Sequence, residues 1–186
     1  NSPEQGVLSG STEAIGKAKE ALDAKKIRSV PLPVAAAFHS SLVADAAIPF
    51  AEGLADIKFK SAKIPVFSNT TGKPYPKKLN AVRDLLANQL ANSVEFVDEI
   101  TAMYESGVRS FLEVGPAGKM IGLVKAILKG KDDTAFYALD ASGGKKSGIA
   151  DLAKTLAQTA ALGYRVELSA WDDSFTAPED DGKKRM

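Results

Sequence analysis

The sequence predicts an α/β fold built from parallel strand–turn–helix units, and three observations carry that prediction. Ser110-Phe-Leu-Glu-Val114 reads as a strand that stops at Gly115-Pro116. Met120, Ile121, Val124, Ile127 and Leu128 then recur at helical spacing, and Ala135 to Leu139 is a further strand. Strand, glycine turn, helix and strand together form the crossover unit of a parallel sheet. With 186 residues, 45% of them hydrophobic, the chain can bury a core of one domain, or of one domain plus an appendage.

The elements before that unit follow in order. Residues 7 to 34 read as strand, helix, strand. Thr12 is the expected N-cap of the helix, and Ile15, Ala18 and Leu22 form its apolar stripe. The second strand, Ile27 to Val34, is interrupted by Pro31 and Pro33, which places it at a sheet edge or exit. A helix is expected over 41–57, capped by Ser40 or Ser41, with Leu42, Ala46, Phe50, Leu54 and Ile57 facing inward. Pro49 should kink or split it. Ile64 to Ser68 is a short apolar strand, and Asn69 to Pro76 is dense in turn residues and reads as a loop. Val82, Leu85, Leu86 and Leu90 mark one helix. Phe96, Val97, Ile100, Met103 and Tyr104 mark the next, with Gly107 expected at C′.

After the second parallel strand, Ala141-Ser-Gly-Gly-Lys-Lys-Ser-Gly148 has the composition of a flexible linker. Ile149, Leu152, Ala153, Leu156 and Ala160 then trace an amphipathic helix. Tyr164 to Leu168 alternates like a strand, with Trp171 as its anchor, and residues 176–186 read as a disordered tail.

Composition narrows the chemistry. Charged residues are 25% of the chain and the net charge is +1, which argues against a nucleic-acid surface as the main business. No apolar run approaches the length of a membrane span, and no secretory signal is visible. There is no cysteine and only one histidine, so disulfides, thiolate nucleophiles and Cys- or His-rich metal sites are struck out. A cytoplasmic setting fits this usage. The start, Asn1-Ser-Pro-Glu-Gln5, reads as a turn in mid-domain, and a fragment of a larger domain is the expectation.

Several catalytic signatures fail on spacing. Gly6-Val-Leu-Ser-Gly10 has one residue too many before its serine for a nucleophile elbow. Gly115-Pro-Ala-Gly-Lys-Met120 lacks the closing Ser/Thr of a phosphate loop, and Gly143-Gly-Lys-Lys-Ser147 lacks its spacing. The paired aspartates Asp132-Asp133 and Asp172-Asp173 read as solvated charge. What remains is His39, at a predicted junction between strand and helix. A histidine so placed suits proton transfer, although one residue alone is more often a polar space-filler.

Five pieces in fixed order give His39 a context. They are Asn1-Ser-Pro-Glu-Gln5, Leu32-Pro-Val-Ala-Ala-Ala-Phe-His-Ser40, Pro65-Val-Phe-Ser-Asn-Thr-Thr-Gly72, Gln89-Leu-Ala-Asn-Ser-Val94 and Phe111-Leu-Glu-Val-Gly-Pro116. In this order the chain resembles the C-terminal portion of a malonyl-CoA:acyl carrier protein transacylase domain, over roughly residues 1 to 140. It is most similar to the acyltransferases of multidomain polyketide-type synthases that make polyunsaturated fatty acids. The resemblance implies part of a ferredoxin-like small subdomain (1–33) and the C-terminal part of an α/β-hydrolase-like large subdomain (34–140). A connector (141–175) and a tail (176–186) would follow.

The resemblance also implies a reaction. A serine in an upstream elbow takes the malonyl group from CoA and passes it to the phosphopantetheine arm of an acyl carrier protein. No tightly bound cofactor and no metal is expected. His39 matches the family's catalytic histidine, and the backbone carbonyl of Gln89 matches the group that orients it. Phe38 matches the residue that selects malonyl over larger acyl groups, and Asn1 a neighbour of the acyl site. The implied partners are the upstream part of the same domain, the carrier protein and neighbouring ketosynthase-type domains, with no nucleic acid and no membrane. The elbow serine and the arginine that pairs with malonate lie upstream in the family, and no residue here matches either. The chain alone is therefore expected to be inactive. A second reading is a non-catalytic docking or structural module derived from such a domain.

Overall fold

The computed structural model describes residues 1–167 and residue 170. It contains six α-helices and four short strands among those residues: α1 Thr12–Ala24, α2 Ala47–Ala55, β1 Phe67–Ser68, β2 Lys73–Pro74, α3 Leu79–Asn88, α4 Phe96–Glu105, β3 Ser110–Pro116, α5 Lys119–Ile127, β4 Ala135–Asp140 and α6 Gly148–Ala161. A 3₁₀ segment, Ser41–Ala46, leads into α2, and another, Gln89–Ala91, continues α3. The chain divides into two compact units. One comprises residues 1–110 and 122–135, the other 111–121 and 136–186.

In the first unit, α1 is capped by Ser11, whose hydroxyl accepts from the Ala14 N–H at 3.2 Å, so Thr12 is the first helical residue rather than the cap. The strands expected on either side of α1 are absent: residues 6–9 and 27–34 run without a ladder. Their sequences suit extended backbone, but a strand exists only where a neighbour supplies hydrogen bonds, and none does so here. Val30, Leu32 and Val34 consequently stand exposed.

The helix expected over 41–57 is two pieces. The turn is tight from Ser41 to Ala46 and relaxes to α geometry at Ala47. Pro49 is the third residue of α2, where its missing N–H would have had no intrahelical partner, so the split falls before the proline. α2 lies against α3, and Leu54 and Ala87 are buried on these two helices.

The turn-rich stretch after Ser68 closes an antiparallel hairpin, with Phe67 opposite Pro74 and Ser68 opposite Lys73. Gly72 takes φ +63° there. The hairpin lies against α4. That helix ends as expected at Gly107, φ +102°. The Gly107 N–H donates to the Tyr104 carbonyl at 3.0 Å and the Val108 N–H to the Met103 carbonyl at 3.1 Å, the paired bonds of a Schellman motif. Arg109 follows at once. It donates to Asp133 at 2.6 Å and to the Tyr104 carbonyl at 2.7 Å, and its guanidinium lies 4.0 Å over the Tyr104 ring.

β3 and β4 are neighbours in a two-stranded sheet. The Ala135 N–H donates to the Arg109 carbonyl at 2.7 Å, and the Ala117 N–H to the Asp140 carbonyl at 2.8 Å. Those two bonds match start with start and end with end, so the strands run parallel, joined through α5 as the sequence predicts.

In the second unit, Phe111 stacks on Phe136 with ring centroids 5.9 Å apart, and Tyr137 and Ala138 are buried. α6 forms over the residues whose periodicity predicts it, but with a different side buried. Its apolar stripe does not face inward: Ile149 is 69% exposed, while Asp151 and Thr155 are buried. Two polar anchors cause this. Asp151 accepts from the backbone N–H and hydroxyl of Ser142, and Thr155 donates to the Ala138 carbonyl at 3.2 Å. The Gly- and Lys-rich stretch before α6 is correspondingly a pinned turn, with the Gly144 N–H donating to Asp140. Residues 164–167 form no strand. Leu168, Trp171 and the 176–186 tail lie outside the described residues.

Candidate active site

His39 occupies a turn. Ser40 donates its hydroxyl to the Ala37 carbonyl at 2.7 Å and accepts the Leu42 N–H at 3.3 Å, which closes the chain around residues 37–40 and starts the 3₁₀ segment. His39 is held there in the left-handed region, at φ +62°. Few residues other than glycine enter that region, histidine among the more tolerant, and the cost is of order 1 kcal/mol or more unless surrounding contacts enforce it.

The enforcing contacts come from the end of α3. The first is main chain to main chain: the His39 N–H donates to the Leu90 carbonyl at 2.7 Å. The other two involve the ring. Nδ1 lies 3.2 Å from the Gln89 carbonyl and 3.0 Å from the Asn92 carbonyl. Carbonyls at the end of a helix are poorly satisfied within it and carry the negative end of its dipole. Here the carbonyls of residues 89, 90 and 92, in and just after the final turn, converge on one histidine fifty residues away in sequence.

This arrangement favours one tautomer. A carbonyl oxygen only accepts, so an Nδ1 facing two of them must carry the proton. In the neutral ring Nε2 is then unprotonated and free to accept. His39 is an exposed residue. The site therefore holds a single imidazole oriented by backbone carbonyls.

The other expected site residues fall as follows. Gln89 presents its carbonyl to His39, as described. Phe38 adjoins the histidine in the turn and is 47% exposed. Asn1 is exposed, ahead of a turn in which Ser2 and Gln5 exchange bonds of 3.0 and 3.1 Å, and no hydrogen bond joins it to the His39 cluster. The sequence reading did not single out Asn92. It sits within Gln89-Leu-Ala-Asn-Ser-Val94, three residues after the predicted carbonyl. At the end of a helix that spacing returns a second carbonyl to the same side. Among the described residues, no three His, Cys, Asp or Glu side chains are grouped to hold a metal.

An α/β scaffold here presents one histidine oriented by backbone carbonyls, and similarity gives the chain its family. The acyl transferase domain family model matches residues 1–160, and the chain belongs to that family. It is 31% identical over 175 residues to a polyunsaturated fatty acid synthase polypeptide of Thraustochytrium, covering 92% of this chain and 6% of that protein. It is 38% identical over 131 residues to the malonyl CoA-acyl carrier protein transacylase of Escherichia coli, covering 69% of this chain and 41% of that one. In structure it resembles the acyltransferase domain of the second module of the salinomycin polyketide synthase, with a TM-score of 0.76 at 22% identity over 91% of this chain and 40% of that one, a likeness of fold. The chain thus spans less than half the length of these relatives.

Proposed function

We propose that His39 is the general acid and base of a malonyl-CoA:acyl carrier protein transacylase, acting in the cytoplasm within a complete domain of which this chain supplies the C-terminal part. The observation that carries the reading is the pair of carbonyls at Nδ1, which leaves Nε2 as the basic nitrogen. A serine hydroxyl is a poor nucleophile until a base removes its proton. In this reading Nε2 takes the proton as the serine oxygen bonds to the malonyl carbonyl carbon. The carbon–sulfur bond breaks and Nε2 returns the proton to the departing CoA sulfur. In the second half Nε2 deprotonates the phosphopantetheine thiol, whose sulfur attacks the seryl ester, and the serine regains its proton.

The serine, and the arginine that would pair with malonate, are assigned to the part of the domain that completes this chain. Residues 1–33 are assigned to its small ferredoxin-like subdomain, 34–140 to its large one and 141–175 to a connector. Neighbouring ketosynthase-type domains are the further partners. Phe38, next to His39 and about half exposed, is assigned to the wall of the acyl pocket, where its bulk disfavours a substituent on the α-carbon. Such discrimination is worth about 1–3 kcal/mol for one methyl group. Asn1 is assigned to the neighbourhood of the acyl group.

The test is transfer of malonyl from malonyl-CoA to a carrier protein by the complete domain. Replacing His39 with Ala is expected to lower the rate by roughly 10²–10⁴, and an unchanged rate would remove His39 from the reaction.

A further inference from the structure

Asn92 makes three bonds in one turn. Its N–H donates to the Gln89 carbonyl at 3.3 Å, its carbonyl lies 3.0 Å from His39 Nδ1, and its side-chain amide donates to the Asn88 carbonyl at 2.6 Å. One rung below, the Asn88 side-chain amide donates to the Asp84 carbonyl at 2.7 Å. Both amides are oriented by chemistry, since only their nitrogens can bond to a carbonyl. We infer that Asn92, supported by Asn88, is the positioning residue of this site. Its side chain fastens the end of α3 so that the carbonyls of Gln89, Leu90 and Asn92 hold His39 in one tautomer and in its left-handed backbone.

The physical case rests on what the ladder leaves over. At the end of a helix several carbonyls lack partners and compete for any nearby donor. The Asn92 amide satisfies that of residue 88 from the side, at i−4, and the Asn88 amide adds a second donor to the carbonyl of residue 84 inside the helix. The Asn92 carbonyl and the second lone pair of the Gln89 carbonyl, whose first takes the Asn92 N–H, then remain for Nδ1. Without the Asn92 amide, residue 92 is tied back only through its long N–H bond to Gln89, and its extended backbone (φ −103°, ψ 153°) is free to turn its carbonyl away. The ring would then keep a single acceptor at 3.2 Å, a weaker preference for Nδ1–H. The role rests on the reading of His39 as the base, but its geometry can be tested apart from catalysis.

His39 is the only histidine in the chain, so its ring signals need no assignment. Long-range ¹⁵N–¹H correlation spectra of the 186-residue protein are expected to show the Nδ1–H form. Asn92→Leu, which keeps the bulk and removes the donor, is expected to give a mixture of tautomers. Asn92→Gln, which keeps a donor, should restore part of the preference, and Asn88→Ala should give a smaller shift in the same direction. In the complete domain Asn92→Leu should lower kcat about tenfold or more while leaving KM for malonyl-CoA unchanged. A wild-type ring in the Nε2–H form, or an Asn92→Leu ring indistinguishable from wild type, overturns the assignment. Should Asn92→Leu fail to fold, an unchanged ring in Asn88→Ala overturns it equally. A shifted tautomer with undiminished transfer would sustain the positioning role and reject the function read for His39.

Discussion

Gly72 and Asp98 meet at a distance that leaves no room for a side chain on the glycine. A Cβ built on Gly72 would stand 2.6 Å from the Asp98 Cβ and 3.2 Å from the backbone of Glu99. The close approach brings the β1–β2 hairpin onto the first turn of α4, and the Glu95 N–H reaches the Asn69 carbonyl at the same place. Glycine is required twice over, for the approach and for φ +63°.

Gly72→Ala is therefore expected to destabilise the protein by roughly 2–4 kcal/mol, combining left-handed strain with an overlap against backbone. Chemical denaturation of the variant beside the wild type measures it. A loss below about 0.5 kcal/mol, the scale of ordinary surface substitutions, would show that the hairpin can lift away from α4.

Glu99 sits in the first turn of α4 beneath that hairpin, and burial raises its carboxyl above the ordinary range. A raised acid favours the protonated form when folded. The penalty is complete above the raised value and is relieved as pH falls toward the ordinary carboxylate range. Glu99→Gln is expected to raise Tm slightly near pH ~7.5 and to lose that advantage as the pH approaches about 4. Thermal melts across this interval check it, and an advantage that grows on acidification would reverse the sign.

Asp151 behaves oppositely. The Ser142 hydroxyl donates to its carboxylate and holds it below the usual range, against the opposing effect of burial. Stability from the ionised form is complete above the ordinary carboxylate value and is lost as pH falls through the lower, folded one. Asp151→Asn should lower Tm at neutral pH and flatten the acid limb of the stability curve. It should also loosen the turn over 142–147, read by faster amide exchange at Ser142 and Lys146, whose N–H groups depend on this cluster. Unaltered exchange at both would mean that the turn holds without Asp151.

Val30, Leu32 and Val34 expose apolar side chains along a segment that joins no strand ladder. Unpaired segments of this kind associate with whatever offers a complementary edge. Sedimentation of the 186-residue protein is expected to show self-association that grows with concentration and that Leu32→Lys weakens. A single monodisperse species over a hundredfold range of concentration would contradict this.

The sequence was most legible where local chemistry and tertiary context agree. The strand at 110, the helix after Gly115-Pro116 and the cap at Gly107 all follow from periodicity and from glycine's tolerance of positive φ. The buried side of helix α6 was misread because its apolar pattern is real but unsatisfied: two polar residues, Asp151 and Thr155, decide which side faces β4. The strands around α1 were misread because propensity reports backbone preference and says nothing of whether a partner strand is present. At the candidate site the histidine stood out by its uniqueness and by the wording of its neighbours. Asn92 did not, because its contribution to the ring comes from a main-chain oxygen that every residue type possesses.

The positive φ of His39 bears on how controls are chosen. An alanine there removes the imidazole and also places an ordinary side chain in a conformation it resists, so an inactive His39→Ala protein would combine lost chemistry with a deformed turn. Asparagine tolerates that conformation far better. A His39→Asn protein, matched to wild type in its melting curve, is the cleaner blank for assays of acyl transfer, and the difference between the two blanks measures what the turn itself contributes.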